Sequence, residues 1–122
     1  MAKSKKKKVV MIVDDEDDIR ETVSNILEKE GYEVKVAKNA DEALEKYKEK
    51  PKPDLVLMDI MMPGTPVKKV VPKLKTKVAY LSVVRTSEAE KEELLKSKNV
   101  KDFIQKPFDI KELVKRVKKL VG

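Results

Sequence analysis

The 122-residue sequence contains no cysteine and no histidine. Without cysteine the chain cannot form a disulfide bond or a thiolate metal site. Without histidine it has no imidazole base, no Ser-His triad, no imidazole metal ligand and no site for a phosphohistidine. Any chemistry at this chain's own side chains must therefore rely on carboxylates, hydroxyls and amines.

Long apolar segments are also absent, and the longest apolar runs are far too short to span a membrane. The run Val9 to Val13 follows a group of lysines, as in a signal peptide, but the acidic run Asp14 to Asp18 interrupts it. We therefore expect no membrane insertion and a cytoplasmic location.

The formal net charge is +7, and five of the positive charges come from the lysines among the first eight residues. The remainder carries only +2, which argues against a nucleic-acid partner for the folded part. A lysine run without an apolar pattern has little to pack against a core. Residues 1–7 are predicted to be a disordered basic tail, and residues 8–122 a single folded domain.

Five short segments have the composition of β-strands. Continuous apolar runs indicate strands buried on both faces, as in parallel sheets, whereas the alternation in the second segment indicates a half-exposed strand at a sheet edge. These segments are Val9–Val13, Tyr32–Ala37, Leu55–Met58, Val78–Leu81 and Val100–Gln105. They alternate with five segments of helical periodicity, which predicts an α/β fold with a parallel sheet and helices on both faces.

Two of the polar pairs with the spacing of capping boxes stand before the first and second helices. They are Asp18 with Glu21 before the first helix, and Asn39 with Glu42 before the second. These pairs predict where the two helices begin.

The expected helix ends are marked by residues that tolerate a left-handed backbone, Gly31 after the first helix and Asn99 after the fourth. Pro72 falls inside the third helical segment, where it removes a backbone donor. We expect the third helix to be short, kinked or irregular.

Polar residues follow the predicted strands at their carboxyl ends, which share one edge of a parallel sheet. The first strand brings Asp14 and Asp15 to this edge, the third Asp59, the fourth Ser82 and the fifth Lys106. Clustered carboxylates repel one another, and a hard divalent cation such as Mg²⁺ relieves the repulsion. This set suits phosphoryl transfer, with a carboxylate nucleophile at Asp59, an ammonium donor at Lys106 and a hydroxyl donor at Ser82.

These motifs together resemble those of a response-regulator receiver domain, similar to the single-domain chemotaxis type. The resemblance runs from about Lys8 to the C-terminus. Each piece is weak alone, but the four occur in the family's order at the ends of predicted strands. They are VDD (Val13 to Asp15), Asp59 with Pro63 four residues later, LS (Leu81 and Ser82) and KPF (Lys106 to Phe108).

The resemblance implies a flavodoxin-like, doubly wound five-stranded sheet in the order 2-1-3-4-5 with five helices. It implies that Asp59 accepts a phosphoryl group from a sensor histidine kinase or a histidine phosphotransfer protein. It further implies Asp15 as a direct Mg²⁺ ligand, Asp14 as a ligand through water, and the backbone carbonyl of Met61 as a further ligand.

The resemblance also implies a switch formed by Ser82 and Phe103. After phosphorylation of Asp59, Ser82 would move toward the phosphoryl group and Phe103 would turn inward, which changes the surface that binds an unknown downstream protein. Such a domain catalyses its own phosphorylation and dephosphorylation but does not turn over a separate substrate. Because no output segment follows Gly122, we expect the output to come from another protein or from a domain outside this sequence.

Three alternatives remain open. One is a nucleic-acid binder that uses the lysine tail, which the nearly balanced charge of the remainder disfavours. A Mg²⁺-dependent phosphohydrolase of a related sheet type would need a second catalytic acid near the nucleophile, where this chain has Met61. A pseudo-receiver that acts only as a scaffold would not need Asp15, Asp59 and Lys106, all of which are present. Residues after Pro63 depart from the family pattern by lacking its Asp-Gly pair, which leaves the surface of the third helix open.

Overall fold

A computed structural model describes residues 7–60, 62–82, 88–106 and 108–121, and for Ser82, Glu90 and Lys91 it describes the backbone. Five parallel strands form one sheet in the order β2-β1-β3-β4-β5. Their bounds are β1 Val9–Val13, β2 Glu33–Ala37, β3 Leu55–Asp59, β4 Lys77–Ser82 and β5 Val100–Gln105. The predicted α/β class, the strand order and the edge position of β2 are therefore confirmed.

Five α-helices connect and follow the strands. They are α1 Asp17–Lys29, α2 Ala40–Tyr47, α3 Val67–Val70, α4 Glu88–Leu95 and α5 Ile110–Val121. The four-residue α3 continues as a 3-10 helix, Val71–Lys73, which contains Pro72. This confirms the expected irregular third helix, because the proline ring cannot supply the backbone donor that a longer α-helix needs.

The sheet separates two apolar clusters, each formed by one face of the strands and the helices that cover it. Helices α2, α3 and α4 contribute buried residues such as Ala43, Val70 and Leu94 to one cluster. Helices α1 and α5 contribute Leu27 and Leu113 to the other. Strands β1 and β3 are buried along their whole length, as their apolar runs predict.

The helix starts only partly match the capping boxes. In α2, the Glu42 backbone N–H donates to Asn39 Oδ1 at 2.8 Å, as predicted, while Glu42 Oε1 accepts from the Lys38 backbone N–H at 3.0 Å. The box expected at Asp18 is wrong, because the cap of α1 lies two residues earlier, at Glu16, and Glu16 makes no side-chain cap. Asp17 and Asp18 in the first turn still interact favourably with the positive end of the helix dipole.

Of the two predicted left-handed helix ends, one is confirmed and one is wrong. Gly31 has a φ of +95°, so the left-handed position after α1 is confirmed. No non-glycine residue in the described ranges has a positive φ, so the left-handed conformation expected for Asn99 is wrong. Its side-chain amide instead donates to the backbone carbonyls of Val71 and Leu74, both at 2.9 Å. Two tertiary hydrogen bonds outweigh the local preference.

Residues 1–6 lie outside the described residues, so the basic tail and the boundary at residue 8 stay predictions. Among the helices that the structure describes, none combines the length and the apolar character required to cross a bilayer.

Candidate functional site

The carboxyl edge of the sheet brings three aspartates together. Asp14 follows β1, Asp15 comes next, and Asp59 ends the neighbouring strand β3. Each offers a carboxylate oxygen, and these oxygens all lie within 4.8 Å of one another. The structure thus assembles the acidic cluster that the strand ends predict.

Two of the three carboxylates are buried, Asp14 completely and Asp59 to within 3% of full burial, whereas Asp15 is exposed. A buried carboxylate must be compensated by donors or cations. Asp14 meets this need with the Glu16 backbone N–H, which donates to Oδ1 at 2.9 Å, and with Lys106 Nζ, which donates to Oδ2 at 2.5 Å.

Lys106 is the buried cation of the site, with 5% of its surface exposed. It follows β5 at the far side of the sheet, and its long side chain reaches back across the edge. Nζ lies 2.5 Å from Asp14 Oδ2 and 3.7 Å from Asp59 Oδ2. One ammonium thus contacts two of the three clustered carboxylates, and the excess negative charge favours a further cation.

Arg20 belongs to the site although the sequence analysis missed it. From α1, its Nη1 donates to the Asp14 backbone carbonyl at 2.5 Å and its Nη2 pairs with Asp17. The spacing of Asp17 and Arg20 on a helix indicates the ion pair, but no local pattern indicates the bond to Asp14. Arg20 holds the turn that carries Asp14 and Asp15.

The donor chemistry fits Mg²⁺, which prefers carboxylate and carbonyl oxygens and keeps several waters. In the described part of the chain, no hydrogen bond or ion pair links the Asp15 side chain to another residue, so it is available as a direct ligand. Asp14 already accepts two bonds, which suits a contact through water. Met61, the predicted carbonyl ligand, lies outside the described residues.

The predicted switch residues lie on the two strands beyond β3. The backbone of Ser82 ends β4 beside Gln105 of β5. Phe103 is partly buried, and its ring centroid lies 5.4 Å from that of Tyr80, with 42° between the ring planes. The Phe103 carbonyl accepts from Arg116 Nη1 at 2.8 Å, and Arg116 also pairs with Asp102 at 3.0 Å. Phe103 is thus held at its backbone while its ring packs on Tyr80.

The family model described as the response regulator receiver domain matches residues 10–118. Among curated proteins, the chain is similar to the transcriptional regulatory protein ResD of Bacillus subtilis, with 37% identity over 105 residues. It is also similar to the phosphate regulon transcriptional regulatory protein PhoB of Escherichia coli, with 35% identity over 108 residues. Both alignments cover 84% of this chain, but only 43% and 47% of the two relatives, so the chain spans less than half of their length.

Solved structures agree over nearly the whole chain. The chemotaxis protein CheY4 of Vibrio cholerae superposes with a TM-score of 0.85 at 29% identity, covering 94% of this chain and 99% of CheY4. A CheY-like receiver domain protein of Methanospirillum hungatei has the same TM-score at 28% identity, covering 93% of both chains. The sheet edge that carries the aspartates lies within the matched length.

Proposed function

The chain belongs to the response regulator receiver domain family, and on that basis we propose that it is a phosphorylatable signalling switch with Asp59 as phosphoacceptor. The observation that carries the proposal is the convergence of three aspartates and a buried lysine at one sheet edge. The donor is a phosphohistidine on a sensor histidine kinase or a histidine phosphotransfer protein.

Asp59 supplies the nucleophilic carboxylate. One of its oxygens attacks phosphorus, the P–O bond forms while the P–N bond to the donor imidazole breaks, and the electron pair leaves with the imidazole nitrogen. Lys106 Nζ, 3.7 Å from Asp59 Oδ2, is close enough to shift from Asp14 toward an incoming phosphoryl oxygen. Its ammonium then offsets charge on the transferred group.

Asp14, Asp15 and Asp59, together with the Met61 carbonyl, would hold Mg²⁺. When bound, the cation would supply positive charge that offsets the charge on the phosphoryl oxygens. Arg20 supports this role by donating to the carbonyl of Asp14, which holds the turn that carries Asp14 and Asp15.

Ser82 and Phe103 carry the response in this proposal. The Ser82 hydroxyl donates to a phosphoryl oxygen, and the ring of Phe103 moves against Tyr80, its neighbour at 5.4 Å. Because Phe103 lies on β5 between α4 and α5, the surface of these elements changes and binds a downstream protein differently. ResD and PhoB are named as transcriptional regulators and CheY4 as a chemotaxis protein, so proteins similar to this chain serve more than one kind of output.

Labelling by acetyl phosphate in the presence of Mg²⁺ tests the proposal. Wild type should incorporate phosphate, and Asp59→Asn should not. Asp54→Asn is the matched control at the opposite end of β3: Asp54 Oδ2 accepts from the Val9 backbone N–H at 2.8 Å, and an amide oxygen keeps that bond. Asp54→Asn should label like wild type.

Two outcomes would favour the alternatives. A wild type that takes up no phosphate from either acetyl phosphate or phosphorylated kinases would be a scaffold without phosphorylation. Continuous release of phosphate from an added phosphomonoester, lost in Asp59→Asn, would instead indicate a phosphohydrolase.

A further inference from the structure

An open groove runs between the α3 segment and α4, on the face of the sheet away from α1 and α5. It consists of two concavities of about 540 and 690 Å³, which share Lys68, Glu93 and Leu94 in their walls. Because the walls are shared, the two concavities form one continuous surface. We call it the α3–α4 groove.

The two ends of the α3–α4 groove differ in chemistry. Toward the carboxyl edge of the sheet the wall is apolar, with Ile60, Met62, Pro66 and Val67. Toward the amino edge the wall carries exposed lysines that flank Pro72 and Tyr80, namely Lys69, Lys75, Lys96 and Lys98. The groove therefore presents apolar groups at one end and cations at the other.

The short third helix leaves this groove open. Helix α3 ends at Val70 and is followed only by the three-residue 3-10 helix Val71–Lys73, which contains Pro72, instead of further α-helical turns. Asn99 then ties the carbonyls of Val71 and Leu74 to the turn after α4. These bonds fix the basic end of the groove, so a partner meets a largely preformed surface.

The charge of the groove is strongly one-sided. Five lysines line it, against one described acidic residue, Glu93. Lys96 Nζ already pairs with Glu93 at 3.1 Å, and this hydrogen bond lowers the pKa of Glu93, with a smaller effect from Lys68. Glu93 therefore does not neutralise the other lysines. The part of the chain outside the basic tail is nearly balanced in charge, so the groove is a local concentration of positive charge.

We propose that the α3–α4 groove binds an acidic amphipathic peptide segment of a protein partner, with apolar side chains against Met62 and Pro66 and carboxylates against the lysines. An acidic segment complements the excess positive charge of the lysines. Its apolar side chains pack against the apolar end of the groove, which has few charges to contact. The chain's own amino-terminal tail is excluded as occupant because it is itself basic.

Nucleic acid fits the groove less well. Single strands bind through exposed aromatic rings and arginine planes on which bases stack. The described walls of the groove contain no arginine, and their aromatic residue, Tyr80, is only 1% exposed. The surface thus offers phosphate contacts at one end but no stacking platform.

Fluorescence anisotropy with a synthetic probe tests the proposal. The probe is a labelled peptide of about 16 residues with leucines on one helical face and glutamates elsewhere. Two matched probes replace either the leucines with serine or the glutamates with lysine, and a labelled oligothymidylate serves as the nucleic-acid arm. The acidic amphipathic peptide should bind most tightly, and both altered peptides should bind at least roughly tenfold more weakly.

Two double variants with the same change in net charge locate the binding. Lys69→Glu with Lys98→Glu reverses charges in the groove, whereas Lys111→Glu with Lys119→Glu reverses exposed charges on α5. The groove variant should weaken binding by roughly tenfold or more, and the α5 variant by less than about threefold. Circular dichroism confirms that both variants are folded.

Three results would overturn the proposal: no saturable binding of the acidic peptide, equal weakening by the two double variants, or tighter binding of the oligothymidylate than of the peptide. The binding assays use unphosphorylated protein, so they are independent of the labelling of Asp59. A negative binding result would not contradict the phosphorylation of Asp59, and a negative labelling result would not contradict binding at the groove.

Discussion

The ammonium of Lys106 lies between two buried carboxylates that come from strands far apart in the chain. Its bond to Asp14 joins residues 92 positions apart, and Asp59 is within 3.7 Å. Removing one partner of a buried ion pair costs more than the pair contributes, because the remaining charge is left without compensation. Lys106 therefore couples the chemistry of the site to the stability of the fold.

Lys106→Met should lower the free energy of unfolding by about 3 kcal/mol in the absence of divalent cations, because Asp14 and Asp59 lose their buried cation. Urea unfolding monitored by circular dichroism measures the difference. Lys111→Met, at an exposed position in α5, is the control and should change stability by less than about 0.5 kcal/mol. Equal stability of Lys106→Met and wild type would show that the pair is not needed for compensation.

Tyr80 offers a separate test through its ionisation. Burial raises the pKa of Tyr80 from 10.0 to about 12. The native state therefore holds the phenolic proton more tightly than the unfolded state. This contribution to stability is complete below pH 10 and is lost as the pH rises toward 12. Tyr80→Phe should flatten the decline in stability across that interval relative to wild type, as measured by urea unfolding at several pH values. Parallel declines in the two proteins would contradict the burial of the phenol.

At the scale of elements, the segment from α3 to β5 depends on contacts made after α4 ends. Asn99 joins the end of the 3-10 helix to the start of β5, where the Val78 backbone N–H also donates to the Asn99 carbonyl at 2.8 Å. Since α3 and the 3-10 helix are too short to be stable by themselves, this junction holds them in place.

Asn99→Asp should destabilise the protein by about 1 to 3 kcal/mol, because a carboxylate of the same shape cannot donate to the carbonyls of Val71 and Leu74. Thermal and urea unfolding measure the effect. Asn25→Asp, at an exposed position of α1, makes the same chemical change without these bonds and should cost much less. If the two variants are equally stable, the amide of Asn99 does not anchor the segment.

The sequence predicts best the elements whose structure depends on residues close together in the chain. The apolar runs of β1 and β3 and the alternation of β2 indicate their burial directly, and Pro72 indicates the short third helix. The start of α1 and the role of Asn99 could not be predicted in this way. At Asn99 the decisive bonds join positions 25 and 28 residues apart, which no local propensity encodes.

The candidate site shows the same division. Strand ends and the rule for parallel sheets predict that Asp14, Asp15, Asp59 and Lys106 share an edge. They do not predict that Lys106 lies closer to Asp14 than to Asp59, or that Arg20 holds the Asp14 carbonyl. These details depend on side-chain lengths and on the packing of α1 against the sheet.

At the scale of the whole molecule, the fold separates charges of opposite sign. The acidic cluster lies at the carboxyl edge of the sheet, and the lysines at the basic end of the α3–α4 groove lie toward the amino edge. The three aspartates repel one another in the folded state and separate when the chain unfolds. Their repulsion therefore lowers the free energy of unfolding. A cation that binds there should stabilise the whole domain.

Mg²⁺ should therefore raise the melting temperature of the unphosphorylated protein, by an amount that corresponds to about 1.4 kcal/mol at a concentration tenfold above its Kd. Asp15→Asn should reduce this shift, because it removes the exposed carboxylate of the cluster. Asp18→Asn, an exposed carboxylate of α1 outside the cluster, should leave it unchanged. A melting curve that does not respond to millimolar Mg²⁺ at constant ionic strength would contradict the metal assignment.

The most direct test of the central claim is to identify the residue that carries the phosphoryl group. Protein phosphorylated by acetyl phosphate or by a histidine kinase is reduced with borohydride, which converts an aspartyl phosphate into homoserine, and the modified peptide is sequenced by mass spectrometry. Homoserine is expected at position 59 of wild type and at no position of the Asp59→Asn variant. Homoserine at another aspartate, or a stable phosphate ester on a hydroxyl such as that of Ser82 with Asp59 unmodified, would contradict it.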